Sequence, residues 1–348
     1  MIIVAVGELP PQTRTRMPAT TRRGDSASLH QALAAASALL LAWLAFLIPA
    51  SVLAAPSGSR QPIAVIYPDI GEPYRSVFGT IIEGIDEKNG RPVVRIAVGA
   101  THDPRVLAGE LRGQGIRVVI ALGRNGLKAA MGLEGEIGIV AGGIVGVPEE
   151  VSASVSIHSL APDPGLLFDR LKSMMPAVRR VLVVHDPRQN DWLIRIAREA
   201  AVKRGIELIA LEASDLRSAT LYYQEFFAQA DVKTDALWLP QDTTTVEEST
   251  VLPMILQESW NRGAVVFSSS VAHVGRGVLF SLYPDNVALG RTLAVSALTR
   301  LAANGPPARV VTPLQTVRIA VNVRTARHLG LAISRTEQQS FDLVFPRQ

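Results

Sequence analysis

The chain has 348 residues, 48% of them hydrophobic, and a net charge of only +4. This balance excludes an intrinsically disordered chain, which would be rich in charge and poor in apolar residues, and the scattered basic residues argue against nucleic-acid binding. Because the sequence contains no cysteine, disulfides, cysteine-ligated metals and a thiol nucleophile are excluded as well.

The first clear pattern is an uncharged stretch over residues 32–59, preceded by two arginines. Its apolar centre has the length of the hydrophobic region of a signal peptide, and small residues follow the proline that ends it. We therefore expect residues 1–54 to be a signal peptide cleaved near Ala54, with Met17 as an alternative start, and the mature protein to be periplasmic. The other interpretation is an uncleaved membrane anchor, although about 17 apolar residues is the short limit for a spanning helix. No cysteine follows the apolar centre, so a lipoprotein is excluded.

From residue 60 onward, short apolar runs alternate with helical stripes. The runs that predict strands in the first half are residues 63–67, 93–98, 118–122 and 137–140. Between them, residues 74–88 carry a helical stripe, and Asp103 and Pro104 predict a helix start with proline in the first turn. Apolar strands separated by helices indicate a parallel sheet that is covered by helices on both faces.

The same pattern restarts after residue 180. The predicted strands of this half are residues 181–184, 207–211, 236–239 and 264–267. Asn190 and Asp215 are predicted to cap its first two helices, and a third helix is expected over residues 247–261. A further strand, helix and strand are predicted at residues 277–283, 286–303 and 317–321. Two arrays of similar size, in a chain long enough for two domains, predict an α/β fold with two doubly wound parallel-sheet lobes.

Polar and small residues follow several of the predicted strands, which is where open parallel sheets bind their ligands. Helix N-termini at this edge favour an anionic ligand group, and a tyrosine ring there would stack on an apolar one. The predicted ligand-binding residues are Tyr67, Asp69, Tyr74, Gly123, Arg124, Asn125, Gly143, Asp186, Asn190, Asp242, Ser268 and Ser269. Each type also has a structural interpretation: Asp242 and Asn190 as helix caps, the serines as turn residues, the glycines as left-handed turns and the tyrosines as packing.

Signatures of catalysis are missing from the sequence. There is no G-x-S-x-G elbow, no H-E-x-x-H motif and no P-loop, and the six histidines show no i, i+4 spacing for a metal. We therefore expect a protein that is not an enzyme and has no cofactor or metal. A remote alternative is a hydrolase in which His185 or His273 works with a serine at a strand end.

Five segments together closely resemble one family: residues 235–242, 265–268, 277–281, 289–291 and 321–326. The family is that of the ABC-transporter substrate-binding proteins of the tryptophan/tyrosine type, which have the type I periplasmic-binding fold. The resemblance implies two α/β lobes joined by crossover hinge strands, a ligand held in the cleft between them, and delivery to a membrane permease. Within it, Gly123, Asp242 and Ser268 match family positions that follow strands.

The loops at residues 67–74 and 141–148 depart from the family pattern, so the identity of the ligand does not carry over. We assign lobe 1 to residues 60–147 plus 282–305, and lobe 2 to residues 148–281 plus 306–348. The expected function is that of a monomeric extracytoplasmic binding protein, which traps an amino-acid-like ligand or small organic anion and presents it to an ABC-type permease. The alternative is an accessory protein that serves a membrane sensor or receptor without transport; neighbouring permease or kinase genes would distinguish the two.

Overall fold

The structure is a computed structural model that describes residues 62–99, 103–133, 135, 137–146, 155–303 and 310–347. Residues 60–348 form one compact unit. The predicted signal peptide at residues 1–54, its cleavage near Ala54 and the start at Met17 lie outside the described residues. Among the described residues, no helix combines the length and the apolar composition that crossing a bilayer requires.

Strands and helices alternate along the chain, as the sequence predicts. In chain order the strands are β1 (Ile63–Pro68), β2 (Val94–Val98), β3 (Val118–Leu122), β4 (Gly138–Ile144), β5 (Ser156–Pro162), β6 (Arg180–His185), β7 (Glu207–Glu212), β8 (Asp235–Leu239), β9 (Val265–Ser268), β10 (Phe280–Pro284), β11 (Val310–Leu314), β12 (Val317–Asn322) and β13 (Leu343–Phe345). The helices are α1 (Tyr74–Asn89), α2 (Pro104–Gly113), α3 (Gly123–Met131), α4 (Pro164–Met174), α5 (Pro187–Val202), α6 (Leu216–Gln229), α7 (Val251–Arg262), α8 (Val271–Arg276), α9 (Asn286–Ala302), α10 (Val323–His328) and α11 (Arg335–Gln339).

These strands form two sheets, and each sheet is the centre of one lobe. In lobe 1 the strand order is β11-β5-β4-β3-β1-β2, and all neighbouring strands are parallel. In lobe 2 the order is β13-β12-β10-β9-β8-β6-β7, in which β10 and β12 are antiparallel and the other neighbours are parallel. The predicted α/β class with two parallel-dominated sheets is confirmed.

Helices cover both faces of each sheet, which explains why the central strands are apolar throughout. Every residue of β3 and of β8 is buried. On one face of the lobe 2 sheet, Trp238 stacks on Phe267, and Phe267 stacks on Phe280. Phe168 of α4 meets the Trp238 ring edge-on at a centroid distance of 5.8 Å. This aromatic stack anchors the strands β8 and β9, whose ends reach the candidate site.

Within the described residues, the chain passes between the lobes at three places. The first passage leads from β5 into α4, the second from β10 into α9, and the third from β11 into β12. The connecting residues are Asp163, Asp285 and residues 315–316. Each passage is therefore short, and lobe 1 is completed by α9 and β11 from late in the chain.

The predicted lobe boundaries at 147/148 and 305/306 place two strands in the wrong lobe. Both β5 and β11 were assigned to lobe 2, but they pair with each other and with β4 in the sheet of lobe 1. The reason is that these strands lie at and next to the edge of that sheet. β5 alternates buried and half-buried residues, and β11 starts exposed, so neither has the continuous apolar run by which the central strands are recognised.

Candidate functional site

A cavity of about 1070 Å³ lies between the two lobes, beyond the carboxyl ends of the strands. Lobe 1 contributes one face of α3 and the residues after β4. Lobe 2 contributes the start of α5, the loop after β8 and the segment after β9. Clefts at this edge of an open parallel sheet are the usual place for a ligand. Because both lobes line the cavity, a ligand in it would contact both.

The wall of lobe 1 carries positive charge. Arg124, Leu127, Lys128 and Met131 line the cavity from α3, and their spacing of three, one and three residues puts them on a single face of that helix. Arg124 and Lys128 are exposed, and neither forms an ion pair within the part of the chain that the structure describes. The two cations therefore present positive charge to the cavity.

Two glycines that the sequence predicts as ligand-binding residues lie at the start of α3 and on β4, next to the wall of lobe 1. Gly123 and Gly143 have φ angles of 69° and 71°, which side chains with a Cβ rarely adopt. A Cβ on Gly143 would lie 3.3 Å from the backbone nitrogen of Gly123, and one on Gly123 would lie 3.1 Å from Cζ of Phe78. Both glycines therefore allow the start of α3 to pack closely on β4 and α1.

The remaining predicted residues of lobe 1 are not among those that line the cavity. Tyr67 is half-buried and packs on the lobe 1 core. Asp69, Tyr74 and Asn125 are exposed. They lie at or near the carboxyl ends of β1 and β3, as the sequence predicts, and their part in binding stays a prediction.

Asp242 lines the cavity, but its carboxylate is engaged within lobe 2. Oδ1 accepts hydrogen bonds from the backbone N–H groups of Thr244 and Thr245 at 3.0 and 2.9 Å. Oδ2 accepts from the backbone N–H of Asp186 at 2.7 Å and from Nδ2 of Asn190 at 2.9 Å. Asp242 is 4% exposed. This residue thus fastens the loop after β8 to the start of α5.

Asp186, and not the predicted Asn190, caps α5. Its Oδ1 accepts from the backbone N–H of Arg188, with Pro187 in the first helical position. The Arg188 guanidinium, together with a hydrogen bond from Thr244, holds the pKa of Asp186 well below its usual range. Asn190 lies buried inside the helix. The signal for the true cap was present in the sequence, because an aspartate followed by proline is a typical helix start.

The serine turn after β9 divides into a buried part and a part that lines the cavity. Ser269 is 2% exposed, and its Oγ accepts a 2.9 Å hydrogen bond from Nε1 of Trp238. Ser268 is fully buried, and its Oγ lies 2.8 Å from Nδ1 of His273. The residues of this segment that line the cavity are Ser270 and His273. The two serines that the sequence predicts as ligand-binding residues, Ser268 and Ser269, are therefore buried behind the residues that line the cavity.

The arrangement around Ser268 does not suit a hydrolase. Its hydroxyl donates to the carbonyl of Leu239 and accepts from the backbone N–H of Ser270, and it has no exposed surface from which to attack a substrate. His185, the other candidate base, is 1% exposed and forms no hydrogen bond through either ring nitrogen within the described chain. No group of metal-ligating side chains occurs among the described residues.

Acidic residues form the rim of lobe 2 that lines the cavity. Hydrogen bonds from the side chain and backbone of Ser249 lower the pKa of Glu247 to about 2. Glu248 lies 3.9 Å from Arg276. The charged lining residues of lobe 1 are therefore both cations, whereas lobe 2 contributes Asp242, Glu247 and Glu248 together with Arg188.

Of the predicted ligand-binding residues, Arg124 and Asp242 are among those that line the cavity. The other residues that line it are Leu127, Lys128, Met131, Val145, Gly146, Arg188, Gln189, Gln241, Thr243, Val246, Glu247, Glu248, Ser270 and His273. The helical spacing from Arg124 was a usable signal for the α3 residues. The other lining residues lie in loops and at the starts of α5 and α8. They have no comparable signal, because their positions depend on partners far away in sequence.

Comparison with known proteins connects this architecture with a family. Residues 167–338 match the family described as ABC transporter substrate binding protein. The ligand-free, open structure of a substrate binding protein with adhesive properties from Clostridium difficile has a TM-score of 0.56 and 18% identity, covering 81% of this chain and 99% of that one. The ABC domain from Streptococcus pneumonia in complex with L-Trp has a TM-score of 0.50 and 15% identity, covering 82% and 100%. At these identities the likeness shows the fold. Among curated proteins, none matches this chain.

Proposed function

Through residues 167–338 this chain belongs to the ABC transporter substrate binding protein family, and we propose that it traps a small solute between its lobes and presents it to an ABC-type permease. The observation that carries this proposal is the cavity of about 1070 Å³ lined by both lobes. A ligand that contacts both walls stabilises a closed arrangement, and short connections between the lobes serve as hinges. The closed form would be the one that the permease recognises.

The chemistry of the cavity supports an amino-acid-like ligand or a small organic anion. Arg124 and Lys128 are placed to hold a carboxylate or a similar anionic group. Leu127, Met131 and Val246 supply apolar surface for the remainder of the ligand. The volume is ample for a molecule of amino-acid size.

The proposal includes location outside the cytoplasm. Members of this family deliver solutes to a membrane permease from the outer side, which agrees with the signal-peptide pattern at residues 1–54. N-terminal sequencing of the protein recovered from the periplasm tests this part. A first residue close to Ala55 would support cleavage, and an intact residue 1 or 17 would contradict it.

A binding screen with matched variants tests ligand capture. The purified protein is examined by thermal shift and then by calorimetry against amino acids, small organic acids and aromatic compounds. Arg124→Ala combined with Lys128→Ala should weaken binding at least tenfold, because each removes a charge-assisted hydrogen bond. Arg105→Ala, which removes an exposed arginine of α2 away from the cavity, should leave binding unchanged. Equal loss in both variants, or no ligand in any class, would contradict the proposal.

Uptake by cells tests the permease step. Deleting the gene should abolish uptake of the ligand found in the screen, and restoring it should recover uptake. Normal uptake accompanied by a lost cellular response to the ligand would support a sensory role instead.

A further inference from the structure

His273 is the histidine of the cleft wall, and its environment fixes which of its nitrogens carries the proton. It lies on α8, lines the cavity and is 4% exposed. Its Nδ1 is 2.8 Å from Oγ of Ser268. In a neutral histidine one ring nitrogen donates and the other accepts, and the hydrogen bond made by one decides the role of the other.

The hydroxyl of Ser268 has one proton and two lone pairs, and its partners account for all three. The proton is donated to the carbonyl oxygen of Leu239 at 3.1 Å. One lone pair accepts from the backbone N–H of Ser270 at 2.9 Å. With the hydroxyl proton assigned in this way, the remaining lone pair accepts, which makes Nδ1 of His273 the donor in the 2.8 Å contact. The neutral ring therefore carries its proton on Nδ1, and Nε2 is an acceptor.

Burial favours this neutral ring. Desolvation lowers the pKa of His273, while Glu248 raises it and Arg276 lowers it further. Nδ1 is engaged by Ser268, which leaves Nε2 as the ring nitrogen that is available to a ligand in the cavity that His273 lines. No hydrogen bond is made to Nε2 within the part of the chain that the structure describes.

A second acceptor lies in the same wall. Gln241 lines the cavity, and its Oε1 is buried without a hydrogen-bond partner among the described residues. The opposite wall presents the donors Arg124 and Lys128. The lobe 2 wall thus adds two acceptors, His273 and Gln241, beside the donors Arg188 and Gln189 that line the same wall.

We propose that His273 selects ligands that carry a hydrogen-bond donor, such as an ammonium, hydroxyl or amide N–H group, in addition to their anionic group. This inference rests on the proposed function, since it names what the lobe 2 wall requires of the same ligand. A ligand without the donor would leave Nε2 desolvated and unpaired in the closed cleft, which lowers its affinity. His273 would then determine specificity through direct contact with the ligand.

The test compares ligands that differ only in the donor. The probes are L-tryptophan with indolepropionate, L-phenylalanine with phenylpropionate, and L-leucine with isocaproate, each measured by calorimetry at neutral pH. For at least one pair, the wild-type protein should bind the amine-bearing member at least tenfold more tightly. His273→Leu should reduce this ratio to near unity, mainly by weakening the amine-bearing probe. His273→Gln, which can place an amide oxygen near the position of Nε2, should keep part of the ratio.

Controls separate selectivity from folding and from the proposed function. His328→Gln removes a histidine that does not line the cavity and should keep the full ratio, and melting temperatures identify variants that lose the fold. A wild-type protein that binds both members of a pair equally, or a His273→Leu variant with an unchanged ratio, would overturn the role of His273 while leaving solute binding intact. If none of the six probes bound while another compound of the wider screen did, this inference would be overturned and solute binding would stand.

Discussion

The carboxylate of Asp242 accepts a 2.7 Å hydrogen bond from the backbone N–H of Asp186, a residue 56 positions earlier in the chain. This bond joins the loops that follow two neighbouring strands, β6 and β8, at the edge where the cavity lies. The lobe 2 wall is therefore held in shape before any ligand arrives, which reduces the entropy that ligand binding must overcome.

We predict that Asp242→Ala lowers the stability of the ligand-free protein by about 3 kcal/mol, because buried donors lose their acceptor. The donors are the backbone N–H groups of Asp186, Thr244 and Thr245 and the amide of Asn190. Urea unfolding measures the effect. Unchanged stability combined with lost ligand affinity would show instead that the carboxylate acts mainly on the ligand.

Two adjacent serines should respond to mutation in opposite ways. Ser269→Ala leaves the buried Nε1 of Trp238 without its acceptor and should cost about 2 kcal/mol of stability with little change in ligand affinity. Ser270→Ala changes a residue that lines the cavity and that occupies the N-cap of α8 without a capping hydrogen bond from its side chain, so it should alter affinity and leave stability unchanged. Chemical unfolding and calorimetry on both variants check the contrast. If the effects were reversed, the placement of Ser269 on the buried side of the turn and of Ser270 on the cavity side would be contradicted.

The close contact of α1 and α9 predicts a severe effect for a single methyl group. A Cβ on Gly290 would lie 2.0 Å from the backbone oxygen of Ile81, so Gly290→Ala must force the helices apart and should destabilise the protein by about 3 kcal/mol. Gly79→Ala on α1 is the matched control, since nothing lies within 4 Å of its Cβ. Because alanine has a higher helix propensity than glycine, Gly79→Ala should be neutral or slightly stabilising. Equal melting temperatures for the two variants would contradict this packing.

His185 should make the protein sensitive to acid. Burial lowers its pKa, although Glu212 and Asp242 act in the opposite direction. As pH falls below the unfolded value of about 6.5, the unfolded chain binds a proton that the folded ring does not, so stability decreases. His185→Leu should reduce the difference in unfolding free energy between about pH 7.5 and about pH 5. An identical pH dependence in both proteins would mean that other groups account for it.

The alternation of strands and helices was predictable because the central strands are continuous apolar runs bounded by turn residues. β3 and β8, which are buried throughout, were found at nearly their observed positions. β5 and β11 were not assigned to their lobe, because the edge strand β11 and its neighbour β5 are partly exposed and lose that signature. Local sequence thus identifies the centre of each sheet better than its border.

From the sequence, only the loops around the cavity could be predicted, and not which of their side chains line it. Ser268 and His273 are five residues apart, and their contact depends on a turn whose direction is set by Leu239, nearly 30 residues earlier. No local pattern carries that information. Whether Ser269 or Ser270 faces the cavity depends on the hydrogen bond between Ser269 and Trp238, which lies 31 residues earlier.

Because α9 and β11 come late in the chain, lobe 1 is completed only late in synthesis. For the same reason, the two lobes are not contiguous in sequence. Lobe 1 starts at β1 but lacks a helix and an edge strand until Leu314 has been made. A fragment that ended after β4 would leave the surface that α9 covers open to water. Neither half of this molecule can therefore be obtained by cutting its gene once, and a separate lobe would require joining distant stretches of coding sequence.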